Sequence, residues 1–230
     1  MILYTIPTPL GGTPQEALPA PSLEIIRTIR NFVAENPKTA RAFLASVRMP
    51  LAIKDISIAT LDEHTKDINP LLRPLRDGDT LGLVSEAGCP AIADPGAALV
   101  EAAHREGFRV IPLIGPSSLA LALMASGLEG QRFAFCGYLP RDKAEREKRI
   151  RQLERRSRDE RETEIFIETP YRNDALLVSL LDACDVRTRL CVAVDLTLAS
   201  ESIQTKSIRE WKTARPLIGK RPAVFLLYAP

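Results

Sequence analysis

The sequence predicts an α/β chain of two domains: a doubly wound parallel-sheet domain, then an α+β domain with a mixed sheet. Three observations predict it. Through the first 127 residues, short apolar runs alternate with helical runs, several of which end at glycine. That strand–loop–helix order implies right-handed crossovers and a parallel sheet. After Phe133–Tyr138 the pattern changes to a long charged helical stretch, followed by three apolar runs with few helices between them. Finally, 230 residues with 45% hydrophobic content can bury one large core or two smaller ones. The boundary is expected near Ser126–Gln131, giving domains 1–128 and 129–230.

Taken in order, Ile2–Ile6 is a β-branched and aromatic run stopped by Pro7, and reads as a first strand. The Pro- and Gly-rich segment PTPLGGTPQEALPAP that follows reads as a loop. Leu23–Arg30 has helical spacing, with Ser22 placed to cap it. Phe32–Ala34 is a short strand and Thr39–Val47 a short helix. Pro70–Arg76 reads as a helix ending at Gly78, and Thr80–Val84 as a buried strand. Ala97–Glu106 is a helix closed by Gly107, and Arg109–Leu113 a second buried strand. Ser117–Ser126 is an Ala/Leu-rich helix closed by Gly127, and Phe133–Tyr138 is a strand. Beyond the charged stretch, the apolar runs are Glu164–Glu168, Leu190–Leu196 and Ala223–Tyr228. Asp174–Leu181 is helical, while Val186–Arg189 and Arg215–Pro222 are turn-like.

Charged residues make up 26% of the chain, and the formal net charge is +2, which neither demands nor excludes nucleic acid. Residues 141–162 hold ten basic and seven acidic side chains; the rest of the chain holds 21 and 22. All the net positive charge therefore sits in this segment. Such a helix can contact phosphates, but its signs are mixed and pairs such as Glu145–Arg149 and Glu147–Arg151 fall at i,i+4, so the spacing favours a self-paired, solvated helix. No apolar run is long enough to span a membrane, and the first residues lack the basic and apolar regions of a signal peptide. The four cysteines form no C-x-x-C pair and there are only two histidines, so neither a zinc site nor a disulfide framework is expected. A cytoplasmic setting with reduced thiols is the expectation.

Several enzyme classes are excluded by motif. No G-x-G-x-x-G, no G-x-x-x-x-G-K-[ST] and no G-x-S-x-G is present. The strand-end loop Val84–Gly96, VSEAGCPAIADPG, stands out instead. Gly88 lets a ligand approach the backbone, and Pro90 and Pro95 stiffen the loop. Asp94 is placed to cap a helix beginning near Pro95. The spacing alone fits a rigid connector as well as a ligand loop. Ile114–Ser118, IGPSS, follows the next buried strand, and Pro7–Gly12, PTPLGG, follows the first. Parallel strands bring all three loops to one sheet edge, where open α/β sheets bind ligands. Elsewhere, ETPYR places Arg172 at a strand end, where it can hold an anion or be a surface residue. Asp62–His64, DEH, sets an imidazole beside carboxylates, either as a general base or as a solvated turn.

With these motifs in view, the chain resembles the tetrapyrrole methylase superfamily of S-adenosylmethionine-dependent methyltransferases. Within it, the chain is most similar to the bacterial small-subunit ribosomal RNA 2′-O-ribose cytidine methyltransferases. The similarity runs from LYTIPTPLGG through FVAENPKTARAFL, the long segment from Asp62 to Gly96, GPSS and FAFCGYLP to IFIETPYR, and fades in the last third. The resemblance implies two α/β domains with S-adenosyl-L-methionine bound in the cleft between them, usually within a homodimer, and S-adenosyl-L-homocysteine as product. It implies donor contacts at Pro9, at Ala87, Gly88 and Cys89 with Ile92 beside them, at Ser117 and Ser118, and at Ile167 or Glu168. No metal or membrane is implied.

The chain also departs from the subfamily. Gly12 stands where its members have Asn, and their E-D-T-R-H-T reads Glu35-Asn36-Pro37-Lys38-Thr39-Ala40. Their E-S-P-H-R reads Glu168-Thr169-Pro170-Tyr171-Arg172, and their L-T-K reads Leu196-Thr197-Leu198. A glycine near the last donor contact corresponds to Lys206. The donor features survive better than the positions expected to face substrate. The resemblance thus implies methyl transfer, with RNA or the small ribosomal subunit as acceptor. A tetrapyrrole is the alternative acceptor, and a non-catalytic S-adenosylmethionine-binding regulator is the alternative of another class. An aromatic content of 5% offers few platforms for stacking bases. The candidate catalytic residues are Glu35, His64, Glu86 and Arg172.

Overall fold

The computed structural model describes residues 1–62 and 64–230. Its contacts divide the chain into two compact units, Met1–Ser117 and Ser118–Pro230.

In the first unit, β1 (Ile2–Ile6) leads through α1 (Pro14–Ala17) and α2 (Ala20–Thr28) to β2 (Asn31–Ala34). Helix α3 (Pro37–Ser46) leads to β3 (Ser57–Thr60). A 3-10 turn and α4 (Arg73–Arg76) lead to β4 (Leu81–Val84), and α5 (Ala97–Arg105) leads to β5 (Arg109–Pro112). The strands form one sheet in the order β3-β2-β4-β1-β5, every pair parallel. The chain first steps outward from β1 to β2 to β3, then back through β4 to β5. Right-handed crossovers therefore put α1–α3 on one face and α4–α5 on the other. The two hydrophobic clusters follow this division. Ile6, Phe32, Ala34 and Val84 pack with Leu23, Ile26 and Leu44 on one face. Leu3, Val33, Leu81 and Leu83 pack with Leu75, Leu99 and Ala103 on the other. Strands β1 to β4 each contribute residues to both clusters, as the pleat requires.

Three expectations need correction here. Ser22 lies inside α2 rather than at its cap, and its hydroxyl donates to the Ile114 carbonyl (3.2 Å). The Pro-rich segment after β1 is not all loop: it holds α1, opened by a capping box in which Glu16 accepts from the Thr13 backbone N–H (2.9 Å). Strand β3, SIAT, gives no apolar signal because its residues are half-buried or exposed.

In the second unit, α6 (Ser118–Ser126) precedes β6 (Phe133–Tyr138), α7 (Lys143–Glu160), β7 (Thr163–Ile167) and α8 (Asn173–Ala183). Then come β8 (Arg189–Val194), β9 (Ser202–Ser207), α9 (Ile208–Thr213) and β10 (Ala223–Tyr228). The sheet order is β6-β7-β10-β8-β9, with β6 and β7 parallel and the remaining pairs antiparallel. This is the mixed sheet that the apolar runs imply. Helix α6 packs on β8, β9 and β10, so the division between the units falls at its start, ahead of residue 128. At the core, Phe166 and Phe225 stack with centroids 6.0 Å apart, and the Trp211 indole N–H donates to the Leu190 carbonyl (2.9 Å). Helix α7 turns Arg146, Ile150, Leu153, Glu154 and Ser157 inward. The two charges among them are satisfied. Arg146 donates to Ser179 (3.0 Å) and to the Arg141 carbonyl (2.9 Å), and Glu154 accepts from Thr188 and from the Asp185 N–H (2.7 Å).

Gly82 sits in the middle of β4, in register with Tyr4 on one side and Phe32 on the other. A Cβ there would lie 2.7 Å from Ile6 Cδ1 and 2.8 Å from Phe32 Cδ1. Gly82→Ala is therefore expected to destabilise the chain by about 1–3 kcal/mol through overpacking, read as a lower urea midpoint at unchanged m-value.

Candidate functional site

The site grows from the strand order. The connection leaving β1 runs to the α1–α3 face, and the one leaving its neighbour β4 runs to the α4–α5 face. Diverging loops open a crevice at the carboxyl ends of the strands, the usual ligand position in open α/β sheets. Here the loops are pinned to each other. The Thr8 N–H donates to the Gly88 carbonyl (2.9 Å) and the Gly88 N–H to the Thr8 carbonyl (3.1 Å), a two-bond antiparallel bridge. The buried Thr8 hydroxyl adds a bond to the Ser85 carbonyl (3.3 Å).

Gly88 has φ +79, and an added Cβ would lie 3.2 Å from Leu10 Cδ2, so this turn calls for glycine on both conformation and space. The loop beyond it holds two further left-handed residues, Ala91 (φ 63) and Ala93 (φ 57). Non-glycine residues held there store strain of the kind that collects at ligand sites. Helix α5 then starts at Ala97 with Gly96 as its cap and no side-chain cap bond. Asp94 therefore does not cap it, contrary to the sequence expectation. At φ 138, with Leu83 Cδ2 only 2.6 Å from any added Cβ, Gly96 lets the chain turn tightly onto β4.

The third loop joins the other two. Pro7 packs against Gly115, where an added Cβ would come within 2.5 Å of its ring. The half-buried Cys89 thiol, whose pKa is raised by burial, lies 3.5 Å from the Pro116 carbonyl. On the α3 side, a pocket of about 290 Å³ is lined by Thr8, Pro9, Gly12, Thr39, Ser85 and Glu86 among others.

Carboxylates collect beside this pocket. Glu35 follows β2 and Glu86 follows β4, adjacent strands of the sheet. Thr39 on α3 donates its hydroxyl to Glu86. Asp94 joins them. Burial holds its carboxyl above the usual Asp value and the Glu86 charge adds to this, against hydrogen bonds with Ser85, the Glu86 backbone and Glu35.

The structure brings together Pro9, Glu35, Glu86, Ala87, Gly88 and Cys89 at one edge of the first unit. Ile92 lies in the same loop as Gly88, half exposed (50%), and Ser117 ends the unit. Ser118 is the first residue of α6, in the second unit. There, too, Ile167 ends β7, and the buried Glu168 takes the Arg172 guanidinium and the Thr169 N–H (2.7 Å). Arg172 also donates to the Leu139 carbonyl (3.3 Å), so its charge is engaged within its own unit. His64 sits in a turn after β3, its backbone N–H donating to Asp62 (3.0 Å), whose pKa is lowered chiefly by a hydrogen bond from Thr65. The carboxylate pair of DEH includes Glu63, which lies outside the described residues. Thr8, Thr39 and the role of Asp94 were not identified from sequence. Thr39, three residues after the Asn36 cap of α3, is the one with a local signal.

No protein-family model matches the chain. It is 31% identical over 91% of its length to ribosomal RNA small subunit methyltransferase I of Vibrio cholerae, spanning 69% of that protein. It is 32% identical over 90% of its length to the Pseudomonas aeruginosa protein of that name, spanning 71% of it. It is also 32% identical over 80% of its length to the one from Thermotoga maritima, spanning 77% of it. Among solved structures, the crystal structure of the methyltransferase CobJ aligns over 100% of this chain and 99% of its own, with a TM-score of 0.64 at 16% identity. That likeness is one of fold.

A carboxyl whose folded pKa exceeds its unfolded value binds its proton more tightly when folded. Its contribution to stability is present at low pH and is lost as pH rises through the folded value. Asp94 is such a group. Asp94→Asn is therefore expected to lose less stability than the parent as pH rises from about 4 toward neutrality, measured by urea denaturation across that range.

Proposed function

We infer the chemistry from one premise: the chain belongs to the ribosomal RNA small subunit methyltransferase I family and is a methyltransferase. We assign it S-adenosyl-L-methionine as donor and a ribose 2′-hydroxyl of small-subunit ribosomal RNA as acceptor. The same resemblance supports a homodimer acting in the cytoplasm. The observation that carries the reading is the knot of three strand-end loops at Thr8–Gly88, Gly115–Pro7 and Cys89–Pro116.

The residues present fit such a donor. Ala87-Gly88-Cys89 offers a nearly bare backbone at a turn whose positive φ and close Leu10 side chain disfavour a Cβ. The carboxylates of Glu35, Glu86 and Asp94 complement a cationic ligand. When bound, the donor supplies a sulfonium methyl group open to in-line attack by a nucleophilic oxygen. The chain's part is to align and exclude water. Pro9 and Ile92 give apolar walls, and the backbone of Ala87–Cys89 fixes orientation. Ser117 and Ser118 offer hydroxyls, and Ile167 and Glu168 are the contacts assigned to the second unit. Glu86, held by Thr39, and Glu35, at the end of the adjacent strand beside Asp94, are placed to take the proton that the acceptor hydroxyl releases. Both suit this role better than His64, in its Asx turn, or Arg172, paired with Glu168.

Calorimetry with S-adenosylhomocysteine tests the donor assignment. The parent is expected to bind, and Gly88→Val to bind at least about tenfold more weakly, roughly 1.4 kcal/mol, at unchanged circular dichroism. No binding by the parent overturns the reading. Labelled methyl transfer to small ribosomal subunits from cells lacking the modification tests the acceptor. Transfer to a tetrapyrrole instead overturns that assignment alone.

A further inference from the structure

We propose that the outward face of α7, a stripe of Lys148, Arg151, Arg155 and Arg158, binds the phosphate backbone of the RNA acceptor. This rests on the RNA reading above and adds a docking surface outside the donor site. The charges of 141–162 look mixed in sequence but separate in space. Glu154 is buried against Asp185 and Thr188. Glu160 is drawn to Arg132 (2.6 Å) and Glu162 to Arg156 (3.1 Å). Glu147, only 19% exposed, lies between Lys143 (3.6 Å) and Arg151 (3.3 Å). Of the two i,i+4 pairs expected from sequence, Glu147–Arg151 forms, while Arg149 donates to Gln152 instead (3.4 Å).

What remains outward is basic. Lys148, Arg151, Arg155 and Arg158 recur at i, i+3, i+7 and i+10, opposite the buried Ile150, Leu153 and Ser157, and all four are exposed. At 1.5 Å per residue the stripe is roughly 15 Å long. The exposed acids nearest it, Glu145 and Asp159, flank one side. On the other side it meets the turn between α8 and β8. There Arg187, 78% exposed, pairs with Asp185 (3.2 Å), and Arg158 is near enough to act on the same carboxylate. Glu147 offsets Arg151, but the row keeps a net positive charge, and a polyanion binds such a row with release of its counterions. Three of the four are arginines, whose planar forks suit phosphate oxygens. The stripe has no apolar residue to seat a protein partner or enter a lipid surface.

The experiment compares the full-length parent with Lys148→Glu/Arg155→Glu and with a control of equal charge change, Arg73→Glu/Arg105→Glu, at exposed sites on the first unit. Binding of a small-subunit ribosomal RNA transcript is titrated against salt, alongside S-adenosylhomocysteine affinity and methyl transfer. The α7 variant is expected to keep its S-adenosylhomocysteine affinity, raise KM for RNA, and flatten the slope of log affinity against log salt by about 2. The control is expected to match the parent. If the parent methylates RNA and the α7 variant binds it with the parent's slope, the proposal is overturned and the acceptor assignment stands. Equal losses in both variants also overturn it, since net charge alone then explains binding. So does retention of the parent, but not the α7 variant, on phosphatidylserine vesicles with RNA binding intact. A parent that neither binds nor methylates RNA removes the acceptor assignment and this surface together.

Discussion

Two backbone hydrogen bonds between Thr8 and Gly88 hold the first unit's site together. Their strands, β1 and β4, are neighbours whose connections leave for opposite faces of the sheet, so the chain would otherwise splay at this point. Each bond contributes on the order of 1 kcal/mol net, but the larger effect is that a buried N–H or C=O left unmatched costs about 1–3 kcal/mol. The pocket beside Pro9, the seating of Cys89 against Pro116 and the carboxylates behind Ser85 all take their positions from this bridge. Because the bridge is made by main chain, it constrains side chains at few positions. Gly88 is one, through its positive φ.

The strands that read most directly are those buried on both faces, although β5 and β6 were also legible as apolar runs and are half-buried or exposed edge strands, β5 contrary to its expected burial. Strand β4, LGLV, has every residue buried, and it reads directly as an apolar run between glycines. Strand β9, SIQTKS, has no fully buried residue and lies at a sheet edge, so neither its composition nor its alternation announces it. Asp94-Pro95-Gly96 followed a sound capping rule and still misled, because the glycine is needed against Leu83 and the aspartate is drawn into the carboxylate cluster. In the site, the glycine loops were legible because they are local. Thr8 was not, because its contact with Ser85 spans 77 residues and depends on the register of β1 against β4.

Helix α7 gives the same lesson for charge. A count of signs along residues 141–162 describes a balanced segment, yet burial of Glu154 and Arg146 and the capture of Glu160 by Arg132 leave the two faces unlike. Where each charge points is decided by the helical phase of Ile150, Leu153 and Ser157, which fixes the inward direction for the whole helix.

The chain has a single tryptophan, and its place has an optical consequence. Trp211 is 1% exposed, hydrogen-bonded through its indole to Leu190, with the Lys206 ammonium 4.8 Å from the ring centroid. Its emission reports the second unit alone. The first unit, whose chromophores in this respect are only phenylalanines and Tyr4, can melt or close on a ligand with little direct change in that signal. Fluorescence therefore follows the second unit while far-ultraviolet ellipticity follows both, and any gap between their transitions measures how independently the two units unfold.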